Sequence, residues 1–530
     1  MNFLDYDNTD NRVLGTLLQA QAAAVPDTVF LAFDDVRLTY KDVWLRASHY
    51  AAGLRAQGVE PGDRVCIQMN SNVDYVLLSF ACNLLGAPWV PVNTDYRGDW
   101  LQQTLADSEP VLLLTEQPYV AALDNITLPD GCRVFVREAT ADYPDFQLLS
   151  QRDADFQPAS VNYGDVSAIM WTSGTTGRSK GVMQSHNVWV RAALSSAWMF
   201  RFRAGDCVYN CLPLYNSAAW TANIYPALVA GVSVAIDPAF SASSFWDRIR
   251  YYRATQVFTL GAMHMFLWNA PPSPEDRNNT LRSAVMTPMP GDVHRPFCER
   301  FGLEGIHQGF GQSEVMVILR RPDDGVTELT PNSLGQPVDD VEVTLLDDND
   351  QPVPRGDIGE FCVRPKSAHV LFNGYFKDPD ATELAWSGGW YHTGDLGFHD
   401  VNGDYFFADR KRDLIRYKGR SVSSLAVESV ARKHPAIADA AAFGIESAEL
   451  SSEHEIMLGL VLKSGSTVSE EEIARFINAN APYFFVPRYI EFMDAFPMTP
   501  TQKVRKVELR ERGLSASTWD AKAVGFRVER

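Results

Sequence analysis

The run Thr172-Ser173-Gly174-Thr175-Thr176-Gly177-Arg178-Ser179-Lys180-Gly181 decides how the rest of the chain is read. It follows directly on the apolar stretch Ala168–Trp171, which reads as a buried strand. The glycines let the backbone approach a ligand closely and expose its N–H groups. The hydroxyls of Thr172, Ser173, Thr175 and Thr176 add donors, and Lys180 adds a positive charge. Together these groups suit a cluster of phosphate oxygens. Runs rich in glycine and hydroxyls also serve as plain surface loops, and these residues alone leave that reading open. The spacing is not Gly-x-x-x-x-Gly-Lys-Ser/Thr, so the run is not a Walker loop.

Outward from that run, short β-branched and apolar stretches recur at Val65–Met69, Val111–Thr115, Val232–Ile236, Gln256–Leu260 and Leu281–Met286. Amphipathic segments such as Ser244–Arg253 and Arg295–Phe301 lie between several of them. Strand and helix alternating over this length predict an α/β fold with parallel-rich sheets flanked by helices. Between Pro331 and Pro365 the texture changes. Gly, Pro and Asp punctuate short alternating runs, Val341–Leu346 and Gly359–Val363 among them, which predicts a small antiparallel or barrel-like region over about 331–409. Past Asp413 the pattern predicts a helix at Leu425–Lys433, a strand at Ile456–Leu462 and a helix at Glu470–Asn480 behind Ser469 as N-cap, a small α+β domain.

Composition narrows the function. With 530 residues the chain has room for several domains and large cores. It carries 47 basic against 66 acidic residues, a formal charge of −19, which argues against a nucleic-acid surface. An anionic small substrate needs only local cations, and local basic clusters exist. The seven cysteines are odd in number, widely spaced and mostly in apolar settings such as Val65-Cys66-Ile67, so they read as thiols of a reducing compartment. Cys207 and Cys211 have no second Cys/His pair in register, which does not fit a zinc pattern. The start Met1-Asn2-Phe3-Leu4-Asp5 has no basic or long apolar run, no stretch approaches the ~20 apolar residues of a membrane span, and Val528-Glu529-Arg530 is no sorting signal. A cytoplasmic location is expected.

Four further runs stand in order behind the first: Gly309-Phe310-Gly311-Gln312-Ser313-Glu314, Gly389-Trp390-Tyr391-His392-Thr393-Gly394-Asp395, Asp409-Arg410-Lys411-Arg412-Asp413 and Pro500-Thr501-Gln502-Lys503. Over nearly its whole length the chain resembles the adenylate-forming superfamily of acyl-CoA synthetases, firefly-type luciferases and peptide-synthetase adenylation domains. Within it the chain is similar to the crotonobetaine/carnitine-like and medium-chain acyl-CoA ligases. The resemblance implies an ATP- and Mg²⁺-dependent acid:CoA ligase acting in two steps. A carboxylate attacks the α-phosphate of ATP and releases pyrophosphate, then the thiol of coenzyme A displaces AMP. It implies residues 1–409 as an ATP- and acyl-binding domain, a hinge at 410–413 and a mobile C-terminal lid domain at 414–530.

The same resemblance assigns roles. Lys503 is implied as the catalytic lysine, with Glu314 and Thr172 beside it. Glu314 is implied as the Mg²⁺ ligand, because this ion takes few protein carboxylates and keeps waters. Ser173, Gly174, Thr175, Thr176, Gly177 and Lys180 are implied to hold phosphates, together with Gly311 and Ser313. Phe310 stands where tyrosine is usual and is implied to stack on adenine. Asp395 is implied to accept from both ribose hydroxyls, a task that suits a two-oxygen acceptor, with Arg410 nearby. Gly419 is implied to line the pantetheine tunnel, and Arg416 and Lys418 stand as candidate contacts to CoA phosphates. The acyl pocket is expected near Asn216, Trp220, Met263, Met286 and Gly309.

Three departures bear on that reading. Leu212-Pro213-Leu214-Tyr215-Asn216 ends in asparagine where His or an aromatic ring is usual. Thr287-Pro288-Met289-Pro290 replaces a Gly-Gly-Ala-Pro segment, and Gln502 replaces a frequent glycine before the lysine. Two alternatives stand beside the CoA ligase: a ligase that loads a separate carrier protein, and a silent nucleotide- or acyl-binding homologue. The expected partners are the acid, ATP and CoA, with a homodimer open.

Overall fold

The computed structural model describes residues 4–150, 156–172, 179–323, 325, 330–417, 420–446, 454–498 and 504–528. The chain first lays down β1 (Val29–Phe33) and β2 (Val36–Thr39). It then builds a separate sheet from β3 (Val65–Gln68), β4 (Trp89–Pro91), β5 (Leu112–Glu116), β6 (Arg133–Arg137), β7 (Val166–Trp171) and β8 (Gly181–Ser185). It returns to the first sheet with β9 (Cys207–Asn210), β10 (Ser233–Ile236), β11 (Gln256–Leu260), β12 (Ser283–Thr287), β13 (Gly305–Gln312), β14 (Met316–Arg321) and β15 (Gln336–Pro337). The nine-stranded sheet runs β15-β14-β13-β12-β11-β9-β10-β1-β2 and the six-stranded one β6-β5-β3-β4-β7-β8. Both are parallel inside; the nine-stranded sheet is antiparallel at both edges and the six-stranded one at a single edge. Such interiors are covered on both faces, which is why the strands read as near-continuous apolar runs.

The helices between strands are cut by their caps. Asn72 accepts from Tyr75 N–H to start Val73–Leu85, and Gly86 at φ 67° ends it. Ser185 caps His186–Phe200 in the same way. These two helices are almost wholly buried, and with the helical segment 217–230 they join the two sheets in one large core. At its centre Trp89 of the second sheet meets Trp220 at 4.6 Å and Trp189 at 6.3 Å between ring centroids.

One strand connects two patterns. Gly305, Ile306 and His307 of β13 pair parallel with β12, whereas Gln308–Gln312 pair antiparallel with β14, with a register shift between Phe310 and Gly311. The segment expected to be barrel-like is an antiparallel sheet of β16 (Val341–Leu346), β17 (Gly359–Pro365), β18 (Trp386–Ser387), β19 (Trp390–His399) and β20 (Tyr405–Arg410). After the short hairpin β21 (Ile415–Tyr417) and β22 (Arg420–Val422), the C-terminal part forms β23 (Ile437–Glu446), β24 (His454–Leu462), β25 (Tyr489–Phe492) and β26 (Trp519–Asp520). Alternation along β23 sends Ala440 and Ala442 to one apolar cluster and Ala441 and Phe443 to another. Helices Ser424–Arg432 and Glu470–Asn480 add to the first cluster, the second helix behind a capping box of Ser469 and Glu472.

Candidate active site

The C-terminal half of β13 and the turn behind it carry Gly309-Phe310-Gly311-Gln312-Ser313-Glu314. Both glycines are required by close approach. A Cβ at Gly309 would stand 2.7 Å from the Leu319 carbonyl oxygen, and one at Gly311 only 1.6 Å from that of Met316. The turn is held from below by buried Arg191, which donates to the carbonyls of Val315 (3.2 Å) and Val317 (2.9 Å) and pairs with Asp340.

Glu314 leaves this turn with its carbonyl accepting from Phe372 N–H at 3.0 Å and its Oε1 accepting from the Tyr375 hydroxyl at 3.1 Å. Burial pushes its carboxyl above the ordinary glutamate range, against the opposing pull of Tyr375 and Lys180. Lys180 Nζ lies over the Tyr375 ring, 4.7 Å from its centroid. Tyr375 thus joins the cation at the end of the phosphate-type run to the carboxylate at the end of β13. Neither Lys180 nor Glu314 forms an ion pair among the described residues. Ser313 Oγ stands 3.5 Å from Ser217 Oγ, and its carbonyl accepts from Gln184 Nε2. Thr172 is fixed where β7 ends, its N–H donating to the Lys180 carbonyl at 3.0 Å.

A second group gathers on β19 and β20. Register places Asp395 opposite Arg410, whose Nε lies 3.8 Å from Oδ1. Gln312 Nε2 donates to Asp395 Oδ2 and also to the Thr393 carbonyl at 2.8 Å, so the end of β13 is tied to the carboxylate. Phe310 stacks on Phe361 at 5.1 Å between centroids, with the rings 28° apart. The structure thus shows two groups joined through the end of β13: Lys180, Tyr375 and Glu314 in one, Gln312, Asp395 and Arg410 in the other.

The expected acyl residues divide. Asn216 precedes the helical turn at Ser217 and makes no side-chain cap bond. Gly309 gives its carbonyl to Thr287 Oγ1 at 3.0 Å, and Met263 packs against both of the large apolar clusters. Trp220 and Met286 are both 0% exposed. Trp220 donates from Nε1 to the Leu214 carbonyl at 2.7 Å and packs at a tilt among Trp89, Tyr75 and Tyr225, so the helix turns it into the core. Met286 lies on β12 in the cluster beneath the sheet. Behind the Thr287–Pro288 peptide, buried His264 bridges Thr259 Oγ1 (3.0 Å) and the Pro288 carbonyl (2.9 Å), and burial pushes its pKa down to about 4, so it is neutral near pH 7. The expected residues Ser173, Gly174, Thr175, Thr176, Gly177, Lys418, Gly419 and Lys503, and the side chain of Arg416, lie outside the described residues.

Sequence reasoning passed over Tyr375 and gave Gln312 no role. Gln312 stands inside a quoted motif, so its position was available. Tyr375 reaches Glu314 across 61 positions, and no local pattern marks that approach. For Mg²⁺ the donors fit: Glu314 is a desolvated carboxylate without a cation partner among the described residues, and Ser313 and Thr172 bring hard hydroxyl oxygens. When bound, such an ion offsets phosphate charge. The chain's own contribution is to hold the Glu314 carboxylate through Tyr375.

The AMP-binding enzyme family matches residues 18–376, and the AMP-binding enzyme C-terminal domain matches residues 426–503. The chain belongs to the AMP-binding enzymes. Its recognition as a member of the adenylate-forming enzymes is borne out at that level. Crotonobetaine/carnitine–CoA ligases from Escherichia coli and Shigella sonnei are each 29% identical over 464 residues, 86% of this chain and 89% of theirs. Among solved structures, ATP-bound MatB from Rhodopseudomonas palustris is similar at 24% identity and TM-score 0.82, covering 94% of this chain and 98% of that one. The O-succinylbenzoate coenzyme A synthetase MenE from Bacillus subtilis with AMP gives 24% identity and TM-score 0.81, covering 95% and 99%. These likenesses bear out the fold expected from sequence. No helix among the described residues is long and apolar enough to cross a membrane.

Proposed function

We propose that the chain is an ATP-dependent carboxylic acid:CoA ligase in which these two groups seat the nucleotide. The observation that carries this reading is the meeting of two polar groups at the end of β13. In one, Tyr375 links Lys180 to Glu314. In the other, Gln312 and Arg410 flank Asp395. The first suits phosphates and a hard cation, the second a vicinal diol. Thr172, Ser173, Gly174, Thr175, Thr176 and Gly177 would close over the phosphates, and Phe310 would offer its ring to adenine.

In this reading residues 1–409 bind ATP and acid, 410–413 form a hinge, and 414–530 carry Lys503 to the reacting carboxylate for the first step and away for the second. Gly419 would then border the thiol's path. Asn216, Met263 and Gly309 border the acyl site, with Trp220 and Met286 packed behind. The enzyme would work in the cytoplasm, as a monomer or homodimer, the latter decided by light scattering on the eluting protein.

The test is pyrophosphate release with Mg·ATP across a panel of acids, crotonobetaine and carnitine included because the relatives carry those names, with and without CoA. Acid-dependent release accompanied by acyl-CoA is the expected result. Release that turns over only with a phosphopantetheinyl carrier protein would make it a carrier-loading ligase, and no release with any acid would make it a silent binder. Lys503→Ala should abolish adenylation while leaving thioester formation from supplied acyl-AMP within a few fold. Equal loss of both half-reactions would overturn the alternating role of the C-terminal part.

A further inference from the structure

Glu360 and Cys362 are two apart on β17, so strand alternation puts both side chains on one face. Cys362 is the cross-strand partner of His392 on β19. The three groups converge: Nδ1 of His392 lies 3.4 Å from Sγ of Cys362 and 3.1 Å from Oε2 of Glu360. A tetrahedral ion with bonds of about 2.3 Å to sulfur and about 2.0 Å to nitrogen and oxygen has an S–N edge of about 3.5 Å and an N–O edge of about 3.3 Å. Both observed separations sit close to those edges. A hydrogen-bonding account serves the same atoms less well, because one Nδ1–H cannot be aimed at both neighbours.

The surroundings add to this. His392 Nε2 is buried without a hydrogen-bond partner and faces Asp350 Oδ1 at 3.6 Å, the outer carboxylate that orients many metal-bound imidazoles. Positive charge is already drawn to the spot: Lys411 Nζ stands 2.9 Å from Glu360 Oε2 and 3.1 Å from Asp348 Oδ1. Its side chain is 43% exposed and can swing out on its stem. We propose that Glu360, Cys362 and His392 form a binding site for a divalent transition metal of the zinc class, separate from the hard-oxygen position at Glu314. Binding replaces the thiol proton by the ion and releases that proton to solvent, so uptake strengthens as pH rises. Gly394 N–H donates to Glu360 Oε1 at 2.8 Å, one residue before Asp395, so occupancy reaches the nucleotide end of the site.

A second trio, His294, Cys298 and Asp323, serves as the internal control. There the His294 nitrogen that faces Asp323 is already engaged by the Ile306 carbonyl at 2.9 Å. The experiment titrates the chelator-treated full-length protein with Co²⁺ and follows the thiolate-to-cobalt charge-transfer band. One equivalent should develop the band, and Zn²⁺ should bleach it. Cys362→Ser should lose the band and Cys298→Ser keep it. Lys411→Met, which removes the competing cation, should tighten Co²⁺ about tenfold. No band in the unaltered protein, a band surviving Cys362→Ser, or an affinity unmoved by Lys411→Met would each overturn the site.

Discussion

At the scale of single residues, Glu314 is under opposing demands. Burial favours its neutral form, whereas the proposed hold on Mg²⁺ needs the carboxylate. The Tyr375 hydroxyl at 3.1 Å moderates the conflict by donating to the charged form. Removing a hydrogen bond to a charged group costs about 1.5–3 kcal/mol. Tyr375→Phe is therefore expected to raise the Glu314 pKa further and move the acidic limb of kcat/KM to higher pH, with losses of about 10–100-fold on the acid side that shrink as pH rises. A pH profile of pyrophosphate release checks this, and an unmoved acid limb refutes the pairing. Stability carries the same sign. A carboxyl whose folded pKa is raised contributes stability below the unfolded value and loses it as pH rises through the folded one. Glu314→Gln should thus end pyrophosphate release yet raise Tm near pH 7 by roughly 2–4 °C per kcal/mol relieved, the gain fading in acid. Thermal melts of the metal-free protein at two pH values measure it. The charged residues proposed for the site were legible only through the motif resemblance, since a lone lysine or turn aspartate is otherwise more often a solvated side chain or a cap. Tyr375 was not, since an aromatic residue far along the chain is indistinguishable from core until the backbone brings it back.

At the scale of elements, Gly311 shows why a motif glycine resists change. Its Cβ position lies 1.6 Å from a backbone oxygen, which no rotamer can relieve. Gly311→Ala is expected to lower Tm by several degrees and to remove the thermal protection given by Mg·ATP, because the displaced turn carries Glu314. Protection retained in full would show that the turn adapts. The join to the C-terminal part has a comparable device. Asp409, 1% exposed, accepts from Arg410 N–H at 2.7 Å and from Ser424 N–H, while Ser423 Oγ donates to the Ala408 carbonyl at 2.7 Å. These bonds tie the end of β20 to the first turn of Ser424–Arg432, across the proposed hinge at 410–413. Asp409→Asn should loosen that tie and move the rates of the two half-reactions in opposite directions by a few fold, measured separately with acid and with supplied acyl-AMP. Elements themselves were largely legible: Gln256–Leu260, Val341–Leu346 and Glu470–Asn480 run as read from periodicity and caps. The helix read from Arg295 begins at Gly291, because Pro296 lies inside it where the sequence suggests a start.

At the scale of the whole molecule, the cores define what unfolds together. One apolar cluster joins both large sheets, while the clusters around β23 draw only on residues from Ile415 onward. Calorimetry is expected to resolve two transitions, and Mg·ATP to raise the one belonging to the joined sheets. A single transition would show the C-terminal part to be no separate cooperative unit. Sheet order was the least legible feature: β1 pairs with β10 through Leu31 and Val234, a partnership that no local pattern announces. Strand Gly305–Gln312 leaves its parallel neighbour after His307 and finishes against Met316–Arg321. Its first amides are clasped inside a wide sheet, and its last rest on one hairpin. In deuterated water, labelling should therefore advance along this strand from Gln312 inward, so that a seated nucleotide announces itself as slowed labelling over residues 308–316 while residues 283–287 stay silent.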